Sequence, residues 1–153
     1  MTASYEYVLS EFPFTVRRTV SWGDCDPAGV VYTGRFSEYL LGAVMHFLKH
    51  VGLAPGSDIH RISGTVLPCK YMSLTFHVAL WPNDVVDLRI HVGEIGEHTF
   101  QIVMHAVLSD GRLAFQGIFV PIFIKNDARV RRPVPDAARS ALIPYLMIKD
   151  EPE

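Results

Sequence analysis

Two carboxylates two positions apart, Asp24 and Asp26, stand in the stretch Ser21-Trp22-Gly23-Asp24-Cys25-Asp26-Pro27-Ala28-Gly29-Val30-Val31-Tyr32. Its glycines and proline mark a turn, and a helical pattern of some twenty residues begins just behind it. An acidic loop is thereby set against a helix N-terminus, where the first N–H groups lack intrahelical partners and the macrodipole is positive. A helix end of this kind polarises a carbonyl, and a carboxylate beside it can attack that carbonyl or activate water. Asp-x-Asp-Pro is also a common loop with Asx-type backbone bonds, so the spacing alone leaves catalytic and structural roles open. Cys25 between the acids has no histidine partner placed by the sequence, and a packed thiol is the simpler expectation.

The elements around the loop can be read from periodicity. Phe14, Val16, Val20 and Trp22 alternate with Thr15, Arg17, Thr19 and Ser21, a strand pattern interrupted on its apolar face by Arg18. Behind the loop, Phe36, Tyr39, Leu40, Ala43, Val44, Phe47, Leu48 and Val51 follow helical steps, with Leu41 and Met45 widening the apolar arc. A helix apolar around most of its girth is a core element that something must wrap. Gly52 ends it, and residues 54–58 read as loop.

From there the period is two. A long strand is expected over about 64–80, with Pro68 marking an edge or a bulge. Val86, Leu88, Ile90 and Val92 make the next strand, and residues 93–97 the turn after it. Phe100 to Leu108 follows, then a hairpin at Ser109-Asp110-Gly111, then a strand from Leu113 to Lys125 that is apolar on both faces. Residues 1–11 read as a loose leader and Asp136 to Met147 as a weakly amphipathic helix. One helix and a consecutive run of strands give an α+β architecture, an antiparallel five-stranded sheet wrapped around one long central helix. The reading is a single domain over 1–153, with a core at about 12–125 and a tail at 126–153. One sheet and one helix leave a sheet face bare, so a homo-oligomer, dimer or tetramer, is expected.

The totals exclude other classes. At 153 residues there is room for one real core. A net charge of −2 speaks against general affinity for nucleic acid or an anionic membrane. No apolar run approaches a membrane span, and the first residues lack a signal-peptide pattern. Two cysteines, Cys25 and Cys69, make no disulfide framework or metal motif, so a cytoplasmic protein is expected. His46 and His50 are spaced i and i+4 but lack the glutamate of a zincin motif, and no metal site is expected.

Gly23-Asp24-Cys25-Asp26-Pro27-Ala28-Gly29-Val30-Val31-Tyr32, with the helix behind it, resembles the signature of the 4-hydroxybenzoyl-CoA thioesterase family of hot-dog-fold proteins, and the element order is similar over about 12–125. The resemblance implies hydrolysis of an acyl-CoA, aromatic or medium-chain, in a site shared across a subunit interface. It places the catalytic carboxylate on Asp26 and the oxyanion-binding backbone at Thr33 and Gly34. Gly64 and Thr65 fall near the reacting carbonyl. Asp24, Val31, Tyr32 and Trp22 fall beside the substrate, and Arg129 and Arg131, with Arg132, are candidates for the CoA phosphates or a solvated basic segment. Thiolate is a good leaving group, so one carboxylate suffices and no cofactor is implied beyond the substrate's own coenzyme A. The chain departs from the pattern at Gly96-Glu97-His98, where relatives carry a basic run, at Thr33, and at Leu41, where many relatives place an acid. The rival readings are a hot-dog hydroxyacyl-thioester dehydratase, whose His–acid pattern is not found here, and a non-catalytic acyl-thioester binding module.

Overall fold

The computed structural model describes residues 5–148. Alternating apolar residues build the main sheet from β1 (Glu6–Glu11), β2 (Phe14–Thr19), β4 (Cys69–Phe76), β5 (Val85–Ile95), β6 (Phe100–Leu108) and β7 (Leu113–Pro121). Their order is β1-β2-β5-β6-β7-β4, antiparallel throughout. The long helix α1 (Arg35–His50) packs against β2, β5 and β7 and buries Phe36, Tyr39, Leu40, Ala43, Val44, Phe47 and Leu48. These are the positions that the 3.6-residue period selects. Each of the larger aliphatic and phenyl side chains contributes roughly 1.5–3 kcal/mol of burial, so packing rather than helix propensity holds α1 in place. Gly117 in β7 makes the close approach possible, because a Cβ there would sit 3.2 Å from Leu40 of α1 and from Leu74 of β4. This is the α+β hot-dog arrangement, a curled antiparallel sheet around one helix.

Several expectations need correction. The sheet has six strands rather than five, because residues 6–11 are not a loose leader but the edge strand β1, paired with β2. Its side chains are mostly exposed, so burial leaves no alternation to read. Residues 64–80 do not form one strand. They divide into β3 (Thr65–Val66) and β4, broken at Pro68, and the edge position that this proline implied is the one β4 occupies. Strand β5 runs on to Ile95, so its turn comes later than residues 93–97. Leu41 and Met45 are exposed, which makes the buried arc of α1 narrower than its apolar pattern. Trp22 is not on the strand's buried face. It opens a 3-10 turn over Trp22–Asp24 and is 85% exposed.

Two elements escaped the reading. A short helix α2 (Asp58–Ser63) follows the loop after α1, and β3 pairs with β8 (Ile124–Lys125), which pairs with β9 (Val130–Arg131). Past these, Val134 and then Ala138 and Leu142 of α3 (Asp136–Leu142) return the chain to the apolar core.

Candidate active site

The loop between β2 and α1 closes on itself. Asp26 N–H donates to the Val30 carbonyl at 3.0 Å, Gly29 N–H to the Asp26 carbonyl at 2.9 Å, and Tyr32 N–H to the Asp24 carbonyl at 2.9 Å. Gly29 is required by its φ of +86°. The loop is tied to the turn before β5, since Val31 N–H donates to the Leu80 carbonyl and Val20 N–H to that of Asp84. Backbone bonds thus fix the loop that carries the two acids.

Asp26 is half-buried. One carboxylate oxygen accepts the Ala28 N–H at 2.8 Å, an Asx-type bond that orients the group. The other has no hydrogen bond among the described residues and opens on a groove of about 300 Å³ lined by Trp22, Gly29 and Pro82. A carboxylate fixed at one oxygen and free at the other is placed to add to a carbonyl or to accept a proton from water.

Asp24 is in the opposite situation. It is 6% exposed, and its Oδ2 accepts from the Tyr39 hydroxyl at 2.7 Å, from Arg18 at 3.2 Å and from the Ser21 N–H at 3.4 Å. Burial works to raise its pKa, but the bonds from Tyr39 and Arg18 outweigh it and hold the carboxyl below the usual range. Arg18 lies over the Tyr39 ring, 4.2 Å from its centroid, and reaches Glu6 of β1 at 2.8 Å. Glu6 in turn meets His46 of α1 at 3.0 Å. Gly42 admits that carboxylate, whose oxygen lies 2.8 Å from where a Cβ would be. The chain Asp24–Arg18–Glu6–His46 therefore ties the loop to β2, β1 and α1. Cys25 shares the loop without sharing its chemistry. Burial, and then the charges of Asp24 and Asp26, push its thiol up, away from the thiolate a nucleophile needs.

At the start of α1, Arg35 N–H donates to the Tyr32 carbonyl at 2.8 Å and Phe36 N–H to that of Thr33 at 3.3 Å. The N–H groups of Thr33 and Gly34 meet no acceptor among the described residues, and no side chain caps the helix. These two donors stand at the positive end of a 16-residue helix. Thr33 borders a second groove, about 340 Å³, with Val31, Phe36 and Phe76. Tyr32 is half exposed and its ring lies on Gly34, 2.5 Å from where a Cβ would be.

The model of the thioesterase-like superfamily matches residues 20–142. The chain belongs to that superfamily. Among solved structures, a 1,4-dihydroxy-2-naphthoyl-CoA thioesterase from Synechocystis is 22% identical, with 85% of this chain and 95% of that chain covered and a TM-score of 0.76. A gentisyl-coenzyme A thioesterase is 24% identical over 84% of this chain and 98% of that one, at a TM-score of 0.70. A Staphylococcus aureus protein in complex with CoA is 15% identical, covering 100% of this chain and 94% of that one, at a TM-score of 0.81. At these identities the likeness is one of fold. Comparison with curated proteins returns no match.

Within this member of the superfamily the site residues expected from the sequence divide into separate places. Asp26 and Trp22 share one groove, and Val31 and Thr33 another. Gly64 and Thr65 lie apart from both. Gly64 closes α2 with φ +64°, and Thr65 borders a third, smaller cavity. Arg129 and Arg131 are exposed, whereas Arg132 is turned inward and donates to the Thr65 hydroxyl at 2.6 Å. Glu38 pairs with Arg35 at 2.9 Å. His46 and His50 have separate partners, Glu6 and the Tyr145 hydroxyl, and among the described residues no group of three metal-ligating side chains occurs. Tyr39 was read as core and Arg18 only as an interruption. A charged residue on a strand's apolar face and a tyrosine at a core helix position were the available signals.

Proposed function

We propose that this superfamily member hydrolyses an acyl-CoA thioester, with Asp26 as nucleophile or general base. The observation that carries the reading is the Asp26 carboxylate, held by Ala28 at one oxygen and without a hydrogen bond at the other, in the loop that leads into the uncapped N-terminus of α1. The carbonyl oxygen accepts from the N–H groups of Thr33 and Gly34, which strengthen their hold as it becomes an oxyanion; one such donor is worth about 3 kcal/mol of barrier. Either water loses a proton to Asp26 and adds to the carbonyl carbon, or Asp26 adds first and water then cleaves the anhydride. In both, the C–S bond breaks and the thiolate of CoA leaves with the acid as co-product. Asp24, buried and bonded by three donors at one oxygen, holds the loop.

The Thr33 groove and the Thr65 cavity are separate in one chain, and a pair of chains brings them together. The outer edge of β4 is unpaired among the described residues, and its Tyr71, Met72 and Phe76 are exposed. A two-fold pairing of two β4 strands sets the Phe76 end of one against the Cys69 end of the other. Phe76 borders the Thr33 groove, and the chain just before Cys69 borders the Thr65 cavity. The site is then completed by a second copy, as dimer or tetramer. The exposed Arg129 and Arg131 remain the candidates for the CoA phosphates, while Arg132 is engaged with Thr65. The solved neighbours named for gentisyl- and dihydroxynaphthoyl-CoA favour a hydroxylated aromatic acyl group, of which hydroxybenzoyl is the simplest.

The test is thiol release from a panel of acyl-CoAs by the wild type and Asp26→Asn. Turnover by the wild type and its loss in a folded variant are expected. Equal turnover by the two proteins rules out the role of Asp26, and no release from any substrate leaves a binding module.

A further inference from the structure

Gly34 stands at the N-cap of α1 with φ −66° and ψ −17°. That is ordinary right-handed helical backbone, open to residues with side chains, so the glycine is not there for its conformational freedom. What a side chain would meet is Tyr32. The ring's Cε1 lies 2.5 Å, and its Cζ and hydroxyl oxygen 2.8 Å, from where a Cβ of Gly34 would stand. A side chain at 34 and the ring as it lies therefore exclude each other. Little else holds the ring. It is half exposed, and among the described residues it has no hydrogen bond or ring partner. Gly34 is also one of the two residues at the start of α1 whose N–H meets no acceptor among the described residues. The ring thus leans on the same residue that offers a free donor, and its hydroxyl oxygen leaves that donor unbonded.

We propose that Tyr32 is a positioning residue of the hydrolase: its ring, seated on Gly34, is a wall that keeps water from the oxyanion donors of Thr33 and Gly34, and residue 34 is glycine in order to seat it. The proposal rests on the hydrolase reading above and adds a residue to its machinery. The physical ground is the local dielectric. Backbone donors hold a developing negative charge far better where water is excluded. The N–H groups at an open helix end are otherwise bonded to water, which the thioester carbonyl has to displace. An aromatic face beside them thins that hydration and brings no competing acceptor of its own. The ring does this with its body, so phenylalanine can stand in for tyrosine and alanine cannot.

The experiment measures kcat and KM for thiol release from the best acyl-CoA of the panel. The proteins are the wild type, Tyr32→Phe, Tyr32→Ala, Gly34→Ala and the double variant Tyr32→Ala/Gly34→Ala, with circular dichroism and urea titration to check each fold. Alanine fits the backbone at 34 and pushes the ring off its seat. Tyr32→Ala and Gly34→Ala are each expected to lower kcat by about tenfold or more, with KM moving less. Tyr32→Phe restores most of what Tyr32→Ala loses. The double variant falls no lower than the slower single variant, because both changes remove the same wall. Losses confined to the urea midpoints, or turnover in Tyr32→Ala at or above the wild-type rate, overturn the wall. So do losses that multiply in the double variant, or a Tyr32→Phe as slow as Tyr32→Ala. In each of these cases the hydrolase reading stands. Absence of thiol release from every acyl-CoA, by the wild type as well, overturns that reading and the wall with it.

Discussion

Asp24 and Asp26 are the same residue type, two positions apart in one loop, with opposite surroundings. Asp24 is buried beneath three donors and belongs to a charged chain that reaches β1 and α1. Asp26 accepts one backbone N–H and faces a groove. A buried carboxylate that takes three donors at one oxygen, an arginine among them, stabilises the fold and is a poor base, because those bonds favour its charged form. A carboxylate at the border of a groove is open to a ligand. The division of labour between the two acids comes from burial and partners, and nothing in the Asp-x-Asp spacing prescribes it.

Separating the two acids by substitution sharpens the contrast. The largest effect is expected from Asp26→Asn, which lowers kcat by about 10²–10⁴-fold while leaving the unfolding midpoint nearly unchanged, because the amide oxygen still accepts from Ala28. Steady-state thiol release and urea titration of the same preparation check both halves. Asp24→Ala does the reverse, costing about 3 kcal/mol of stability by leaving Arg18 short of a buried partner, as urea titration reads it. Tyr39→Phe removes one bond to a charged acceptor and keeps the ring under Arg18, for about 1.5–2 kcal/mol; a loss as large as that of Asp24→Ala would mean that the ring, not the hydroxyl, is the anchor.

pH gives a further handle. The folded-state pKa of Asp24 is lowered, so its contribution is fully present above the ordinary carboxylate value of about 3.9 and is lost as pH falls through the folded value. The stability gap between wild type and Asp24→Asn is therefore expected to be constant near neutrality and to close in acid. A gap that widens in acid would contradict the charged network. The smallest effect belongs to Trp22→Ala, within about 0.5 kcal/mol of wild-type stability, since the ring is almost wholly exposed.

How much of this the sequence makes legible depends on the range of the interaction. Seven helical positions and four sheet strands announce themselves through local periods, and Pro68 marks an edge strand because it cannot donate to a ladder. The proposed site is legible as a local motif only at Asp26 and the helix start. The partners of Asp24 include Tyr39, fifteen residues on, and Arg132 meets Thr65 across 67 positions; no period encodes such pairs. Helix α2 is invisible for another reason: it buries none of its six residues, so it has no apolar stripe to read. The edge strand β1 hides likewise, its outward residues differing little from a loop's.

That sixth strand has a consequence for growth. A sheet with two open edges can polymerise, each molecule templating the next into a ribbon. Here one flank is β1, which carries Glu6 and Glu11 at its ends and shifts register between Val8 and Ser10, and charge and irregularity of this kind blunt an edge. The other flank, β4, presents Tyr71, Met72 and Phe76. Under the proposed β4 pairing, a molecule with one receptive flank and one blunt one pairs once and stops, and the short N-terminal strand that anchors Arg18 would then act as a chain terminator.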